Sequence, residues 1–395
     1  MKNIDDFNFR NRKALLRVDF NVPLNNELIV TDETRIIATI PTIKKIINEG
    51  GSVILMSHLG RPRKGPEDQY SLKHIIPNLQ EKLGTEVKFA SDCIGLSALE
   101  LSQTLGTGEV MLLENVRFYP EEAKGDENFA SKLAKLGDIY VNDAFGTAHR
   151  AHASTTIVAQ FFEDKCAGYI MGNELNNAKK VLEDPKRPFT AIMGGAKISD
   201  KIMIIEKLLN KVDHLIIGGG MSYTFSKAQG GAIGKSLCED NRMALTLELI
   251  EKAKAKGVKL YLPLDNVIAD DLSNNAHRQI VNSGEISDDW EGLDIGPQSI
   301  NAFENVIKNS KTILWNGPMG VFEFPNFAVG TEAIAEAVVT ATQNGGFSLI
   351  GGGDSAAAIN NLGYGDKVSY VSTGGGALLE YMEGKTLPGV AILED

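Results

Sequence analysis

Cysteine is scarce in this chain: Cys93, Cys166 and Cys238 form an odd, scattered set with no CxxC pair and no ligand-like spacing to histidine. That pattern argues against a disulfide framework and reads as free thiols in a reducing cytoplasm. A basic excess is also missing. The 40 Lys and Arg against 51 Asp and Glu leave a net charge of −11, which makes nucleic acid and anionic membrane surfaces poor partners. Any anion bound here has to be met by locally focused arginines. No apolar run nears the length of a membrane span, and the opening MKNIDDFNFRNRK places acidic residues where a signal peptide would carry its apolar core. A soluble cytosolic protein is expected. Fixed-period repeats and low-complexity tracts are absent. So is a Walker A loop: Gly234, Lys235 and Ser236 imitate its end, but the required upstream glycine is Gln229.

What the chain has instead is glycine, 40 residues of it. Three triplets follow short apolar strands in the second half: LIIGGG at Gly218 to Gly220, SLIGGGD at Gly351 to Gly353 and VSTGGG at Gly374 to Gly376. A strand running through bare backbone into a helix lets amide N–H groups close on an anion at the positive end of the helix dipole. In the first half, arginine marks the strand ends: GSVILMSHLGR, EVMLLENVR and IYVNDAFGTAHR end at Arg61, Arg117 and Arg150. One half is suited to a nucleotide, the other to a small, heavily charged anion.

A length of 395 residues suits two domains of roughly 150 to 200 residues each. Short β-rich runs alternate with helical patterns throughout, which predicts an α/β protein with two doubly wound parallel-sheet, Rossmann-like domains. The alternation restarts after MGNELNNAKKVL, a helix-compatible connector, so the boundary and a hinge are expected near Gly172. Ligands of such sheets collect outside the carboxyl ends of the strands. The stretch from Asp270 to Asp294 breaks the pattern and reads as an antiparallel excursion or a surface loop.

Each candidate residue has a plain alternative. Arg35 lies in the first turn of a helix that Thr31 or Asp32 caps, where a cation is disfavoured by about 0.3 to 1 kcal/mol unless an anion is near. Lys197 in GGAKISDK is expected in the same position, with Lys201 one turn on. Asp19 and Asn21 are either ligand groups or turn formers. His58 is either a satisfied buried imidazole or, with Arg61, a ligand contact. Arg117 and Arg150 either pair with Glu114 or Asp143 or grip a phosphate-plus-carboxylate ligand. Asp354 is a helix cap or a carboxylate for magnesium bound with a nucleotide. Glu323 is a turn residue or a contact to ribose hydroxyls, above a turn shaped by Asn316 and Pro318. His149 and His152 read as structural. Gly351, Gly353 and Ala356 satisfy the weak GxGxxA fingerprint of an NAD-linked dehydrogenase, but the acidic residue expected about twenty positions on is missing. A two-lobed anion-binding protein is the other alternative.

Taken together, RVDFNVP, SHLGRP, ENVRFYPEE, NDAFGTAHRAHAS, GGAKISDKI, WNGPMGVFE, GGGDSAAA and STGGGALLEYMEGKTLPG resemble the phosphoglycerate kinase family from Arg17 to Gly389. The resemblance implies reversible phosphoryl transfer between 1,3-bisphosphoglycerate and MgADP, giving 3-phosphoglycerate and MgATP in glycolysis. It implies an N-terminal substrate domain of residues 1–171 with 381–395, a nucleotide domain of residues 172–380, and closure about the hinge before in-line transfer; nothing in the sequence demands more than a monomer. By matching motif, Asp19, Asn21, Arg35, His58, Arg61, Arg117 and Arg150 would bind the substrate. Gly195, Lys201, Gly219, Gly292, Asn316, Glu323, Gly352, Gly353, Asp354 and Ser355 would bind ADP or ATP. Asp354 would contact Mg²⁺, and Arg35, Lys197 and the amides at Gly353 and Gly376 would surround the moving phosphoryl. The reaction needs no catalytic base, because both nucleophiles are already ionised near neutral pH. This accounts for the absence of a kinase-type HRD loop.

Overall fold

The computed structural model describes residues 1–63 and 65–394. Five-residue runs such as SVILM, FTAIM and TILWN are buried throughout, as strands covered on both faces by helices are. They assemble into two six-stranded parallel sheets, each in its own compact unit. One unit comprises Met1–Asn176 together with the segment from Lys385 onward, and the other Asn177–Gly384.

In the first unit, β1 (Lys13–Arg17), β2 (Ser52–Met56), β3 (Val87–Phe89), β4 (Val110–Leu112), β5 (Ile139–Asn142) and β6 (Lys165–Ala167) take the order β3-β4-β2-β1-β5-β6. The helix Thr34–Asn48 packs on this sheet through Ile36, Thr39, Thr42, Ile43 and Ile46, a spacing of three and four that keeps one face inward. Its start is fixed by Asp32, whose Oδ1 accepts from Thr34 N at 2.9 Å. The segment beyond Lys385 closes the unit by burying Leu387, Val390 and Leu393, and Gly389 N donates to Ala148 O at 2.9 Å.

In the second unit, β7 (Phe189–Met193), β8 (His214–Ile217), β10 (Lys259–Tyr261), β15 (Thr312–Asn316), β16 (Phe347–Gly351) and β17 (Tyr370–Val371) take the order β10-β8-β7-β15-β16-β17. The expected break in alternation is an antiparallel sheet of β11 (Asp265–Ala269), β12 (Arg278–Asn282) and β14 (Glu291–Ile295), and β9 (Ala232–Ile233) pairs with β13 (Glu285–Ile286). The connector is the helix Tyr169–Leu182, and the division between the units falls inside it. No helix among the described residues is long and apolar enough to cross a membrane.

Candidate active site

At the carboxyl ends of β1 and β2, short loops tie Asp19, Asn21 and Arg35 together. Arg35 Nη1 donates to Asp19 Oδ2 at 2.9 Å and to Asn21 O at 3.1 Å, and Asn21 Oδ1 accepts from Gly60 N at 2.8 Å. Gly60 has φ +62°, and a Cβ there would lie 2.4 Å from the Tyr70 ring, so only glycine allows the turn that leads to Arg61. Its carbonyl accepts from Arg117 Nη1 at 2.9 Å. Arg117 itself is carried on the short turn Val116–Phe118, which Asn115 caps through Arg117 N at 3.0 Å.

Glu114 and Asp143, the carboxylates that sequence alone offers to Arg117 and Arg150, are committed elsewhere. Glu114 accepts from Ser71 Oγ, Leu72 N and Asn115 N, and Asp143 from Ile170 N and Met171 N. Among the described residues, Arg61, Arg117 and Arg150 have no carboxylate within ion-pair distance. Arg117 is pushed down to about 10, first by burial and then by the charges of Arg17 and Arg150, so it stays a cation near neutral pH. The histidines register the same field. His58, 3 % exposed, is held well below its usual value by burial and by Arg17, Arg117, Arg35 and His152. His152 falls to about 4 although Glu122 Oε1 lies 4.0 Å from its Nδ1, because burial and three arginines outweigh one carboxylate. This face of the first unit has more positive charge than it neutralises internally.

In the second unit, all three glycine triplets run from strand to helix: β8 into Met221–Ala228, β16 into Gly353–Asn361 and β17 into Gly376–Met382. A cavity of about 280 Å³ opens beside the first two, lined by Gly195, Gly219, Gly292, Glu323 and Asp354 among the sequence candidates. Its apolar wall, Leu237, Leu272, Leu293, Met319 and Val321, escapes sequence reasoning, since these residues come singly from loops and from the short strand β14 and share no periodic signal. Gly219, at φ +66°, packs so closely that a Cβ would meet the backbone of Gly195 at 2.6 Å. Asn316 and Ser355 brace the floor. Lys201 Nζ donates to Asn316 Oδ1, Gly317 N donates to Ser355 Oγ at 2.6 Å, and Asn316 Nδ2 is buried without a partner beside Gly352. Burial lowers Lys201 from its usual value, against the pull of Asp200, Asp354 and Glu383.

One placement differs from the sequence reading. The helix after β7 is Ile202–Leu208, so Lys197 lies in the preceding exposed loop rather than in a first helical turn, and Lys201 occupies the cap position. The intervening turn closes through Lys201 N to Ile198 O at 2.8 Å and delays the helix. Asp354 stands in the first turn of its helix, exposed and without an ion pair among the described residues; the cap position is Gly352. A lone uncommitted carboxylate at a helix start fits magnesium that arrives with phosphate oxygens and water filling its other positions, and the unpaired Asn316 amide beside Gly352 is a donor suited to such an oxygen. Among the described residues no cluster of three or more His, Cys, Asp or Glu competes for the ion.

Comparison with known proteins agrees along the whole chain. The family model described as phosphoglycerate kinase matches residues 4–385. A phosphoglycerate kinase of Porphyromonas gingivalis is 54% identical, with 99% of each chain covered, and a cytosolic phosphoglycerate kinase of Nicotiana tabacum is 52% identical over 99% of this chain and 98% of its own. Among solved structures, the phosphoglycerate kinase of Coxiella burnetii superposes with a TM-score of 0.90 at 40% identity, covering 99% of this chain and 98% of its own. Fold, motif order and relatives together place this chain in the phosphoglycerate kinase family.

Proposed function

We propose that this phosphotransferase grips 3-phosphoglycerate or 1,3-bisphosphoglycerate on the first unit, through Asp19, Asn21, Arg35, His58, Arg61, Arg117 and Arg150. ADP or ATP binds the second, through Gly195, Lys201, Gly219, Gly292, Asn316, Glu323 and Gly352 to Ser355. The observation that carries this reading is the set of guanidiniums without carboxylate partners, Arg61, Arg117 and Arg150, at one sheet edge. A ligand with a phosphate and a carboxylate supplies the missing anions, in the planar geometry that guanidinium matches.

In one direction the nucleophile is the substrate carboxylate, which attacks the γ-phosphorus of ATP as the ADP oxygen leaves. In the other, a terminal oxygen of ADP attacks the acyl phosphate and the carboxylate leaves. No proton moves in either case. The chain's contribution is alignment and cancellation of charge on the transferring group, by Arg35, Lys197 and the amides at Gly353 and Gly376. Asp354 would hold magnesium together with the nucleotide, and the ion would neutralise the phosphate oxygens further. Because the two ligands bind separate units, transfer depends on movement about the connecting helix Tyr169–Leu182, which also excludes the water that would hydrolyse ATP. A monomer is proposed, and a cytosolic location on the likeness to the cytosolic plant relatives. The decisive experiment is a coupled spectrophotometric assay with ATP, magnesium and 3-phosphoglycerate. Turnover that needs all three is expected, and ATP consumption indifferent to 3-phosphoglycerate overturns the reading.

A further inference from the structure

Beneath the arginines of the first unit lies a chain of buried polar groups that the reaction above does not use. Its hub is Ser154, which is fully buried. The hydroxyl of Ser154 donates to Glu122 Oε1 at 2.6 Å and accepts from Arg17 Nε at 2.8 Å; its N–H donates to Glu122 Oε2 at 2.8 Å, and its carbonyl accepts from the Tyr140 hydroxyl at 2.9 Å. Every polar atom of the serine is engaged. Arg17 is 1 % exposed at the last position of β1; it also donates Nη1 to Val18 O and brings Nη2 to 3.4 Å from His58 Nδ1.

A guanidinium has donors and no acceptor, so the ring nitrogen facing it has to present a lone pair. His58 Nδ1 is then unprotonated, and the imidazole is neutral with its proton on Nε2. An imidazolium would set N–H against N–H and add a charge to a buried cation. The groups facing the ring from the other elements, Arg35, Arg117 and His152, oppose a positive charge there as well. Nε2 has no hydrogen-bond partner among the described residues, and it is not one of the polar atoms sealed from solvent.

We infer that the Glu122–Ser154–Arg17 chain locks His58 in the Nε2–H tautomer, so that it meets the anionic substrate as an uncharged, donor-only contact. Arg17 is thus a positioning residue. The inference rests on the assignment of this face to the substrate, and it deepens it. A histidine that gripped an anion by its charge would let go as pH rose through its own titration. A tautomer-locked imidazole offers the same N–H donor across the neutral range.

The test begins with ligand-free protein carrying isotope-labelled histidine, studied by heteronuclear NMR near neutral pH, with the His58 signals identified by their loss in His58→Asn. A neutral ring with the proton on Nε2 is expected. A proton on Nδ1, an even tautomer mixture or an imidazolium overturns the inference, whatever the substrate proves to be. Arg17→Lys keeps the buried charge but cannot span Ser154, Val18 and His58 at once, and Ser154→Ala cuts the chain with the smallest change of volume. In both, the tautomer preference is expected to weaken and KM for 3-phosphoglycerate to rise about tenfold, the scale of one charge-assisted hydrogen bond, while KM for MgATP holds. Folded variants that keep the wild-type tautomer and KM remove Arg17 from this role. A wild-type protein that shows the tautomer yet does not turn over 3-phosphoglycerate would instead refute the substrate assignment and leave the tautomer lock standing.

Discussion

Arg35 carries its charge at the start of a helix, where the backbone dipole opposes it, and a single guanidinium nitrogen is tied to Asp19 and to the Asn21 carbonyl. The rest of the fork is free to meet charge that develops during transfer. Arg35→Ala is therefore expected to lower kcat by on the order of 10²-fold or more, as removal of a preorganised charge stabiliser does. Steady-state kinetics decide this, and an unchanged kcat would take Arg35 out of the transition state. Asp354→Asn tests the other unit: its KM for the magnesium nucleotide should rise while 3-phosphoglycerate binding holds, and equal losses for both would sink the metal contact. His152 has a consequence for stability. Its folded-state value, about 4, lies below the usual 6.5, so between these limits the unfolded chain binds more protons than the native one. Stability is then fully present above about pH 6.5 and is lost progressively as pH falls towards 4. His152→Gln should flatten that loss, read as the shift in urea midpoint between neutral and acidic buffer. A shift as large as in wild type would show that other groups dominate.

Among the elements, the strand–glycine–helix units were legible because the signal is local: an apolar run, bare backbone and a helix are adjacent in sequence. Gly219 shows what the unit tolerates. With φ at +66° and backbone atoms of Gly195 and Pro318 within 2.8 Å of a Cβ, no neighbouring side chain can swing aside to make room. Gly219→Ala should cost more than about 1 kcal/mol of stability and weaken ADP binding, measurable by denaturation and calorimetry. Wild-type values for both would mean that the loop is softer than its packing suggests. The arginine-bearing strand ends could be read for the same reason, and so could the interruption that became the antiparallel sheet. The start of the helix after β7 could not, because the turn closing on Ile198 outweighs the helical pattern of GGAKISDK. The Glu122, Ser154 and Arg17 chain gave no signal at all, since its links join residues 32 and 137 positions apart.

At the scale of the molecule, each unit has its own sheet and its own core. If transfer requires the units to move, small-angle scattering with both substrates should show a smaller radius of gyration than either substrate alone gives. Superimposable curves under all conditions would end the closure argument. The route of the chain has a further effect, which falls on its synthesis. Asn142 reaches with its side-chain amide, at 3.4 Å, for a carbonyl 247 positions downstream, that of Gly389. The second unit, Asn177–Gly384, is one uninterrupted stretch and can fold as soon as it clears the ribosome. The first unit begins first and finishes last, and until Leu387 to Leu393 emerge it lacks the apolar segment that is buried in the finished unit and bonded to Ala148 and Asn142. Chaperones that recognise exposed apolar chain should therefore find their longest opportunity on the half of this enzyme that is translated earliest.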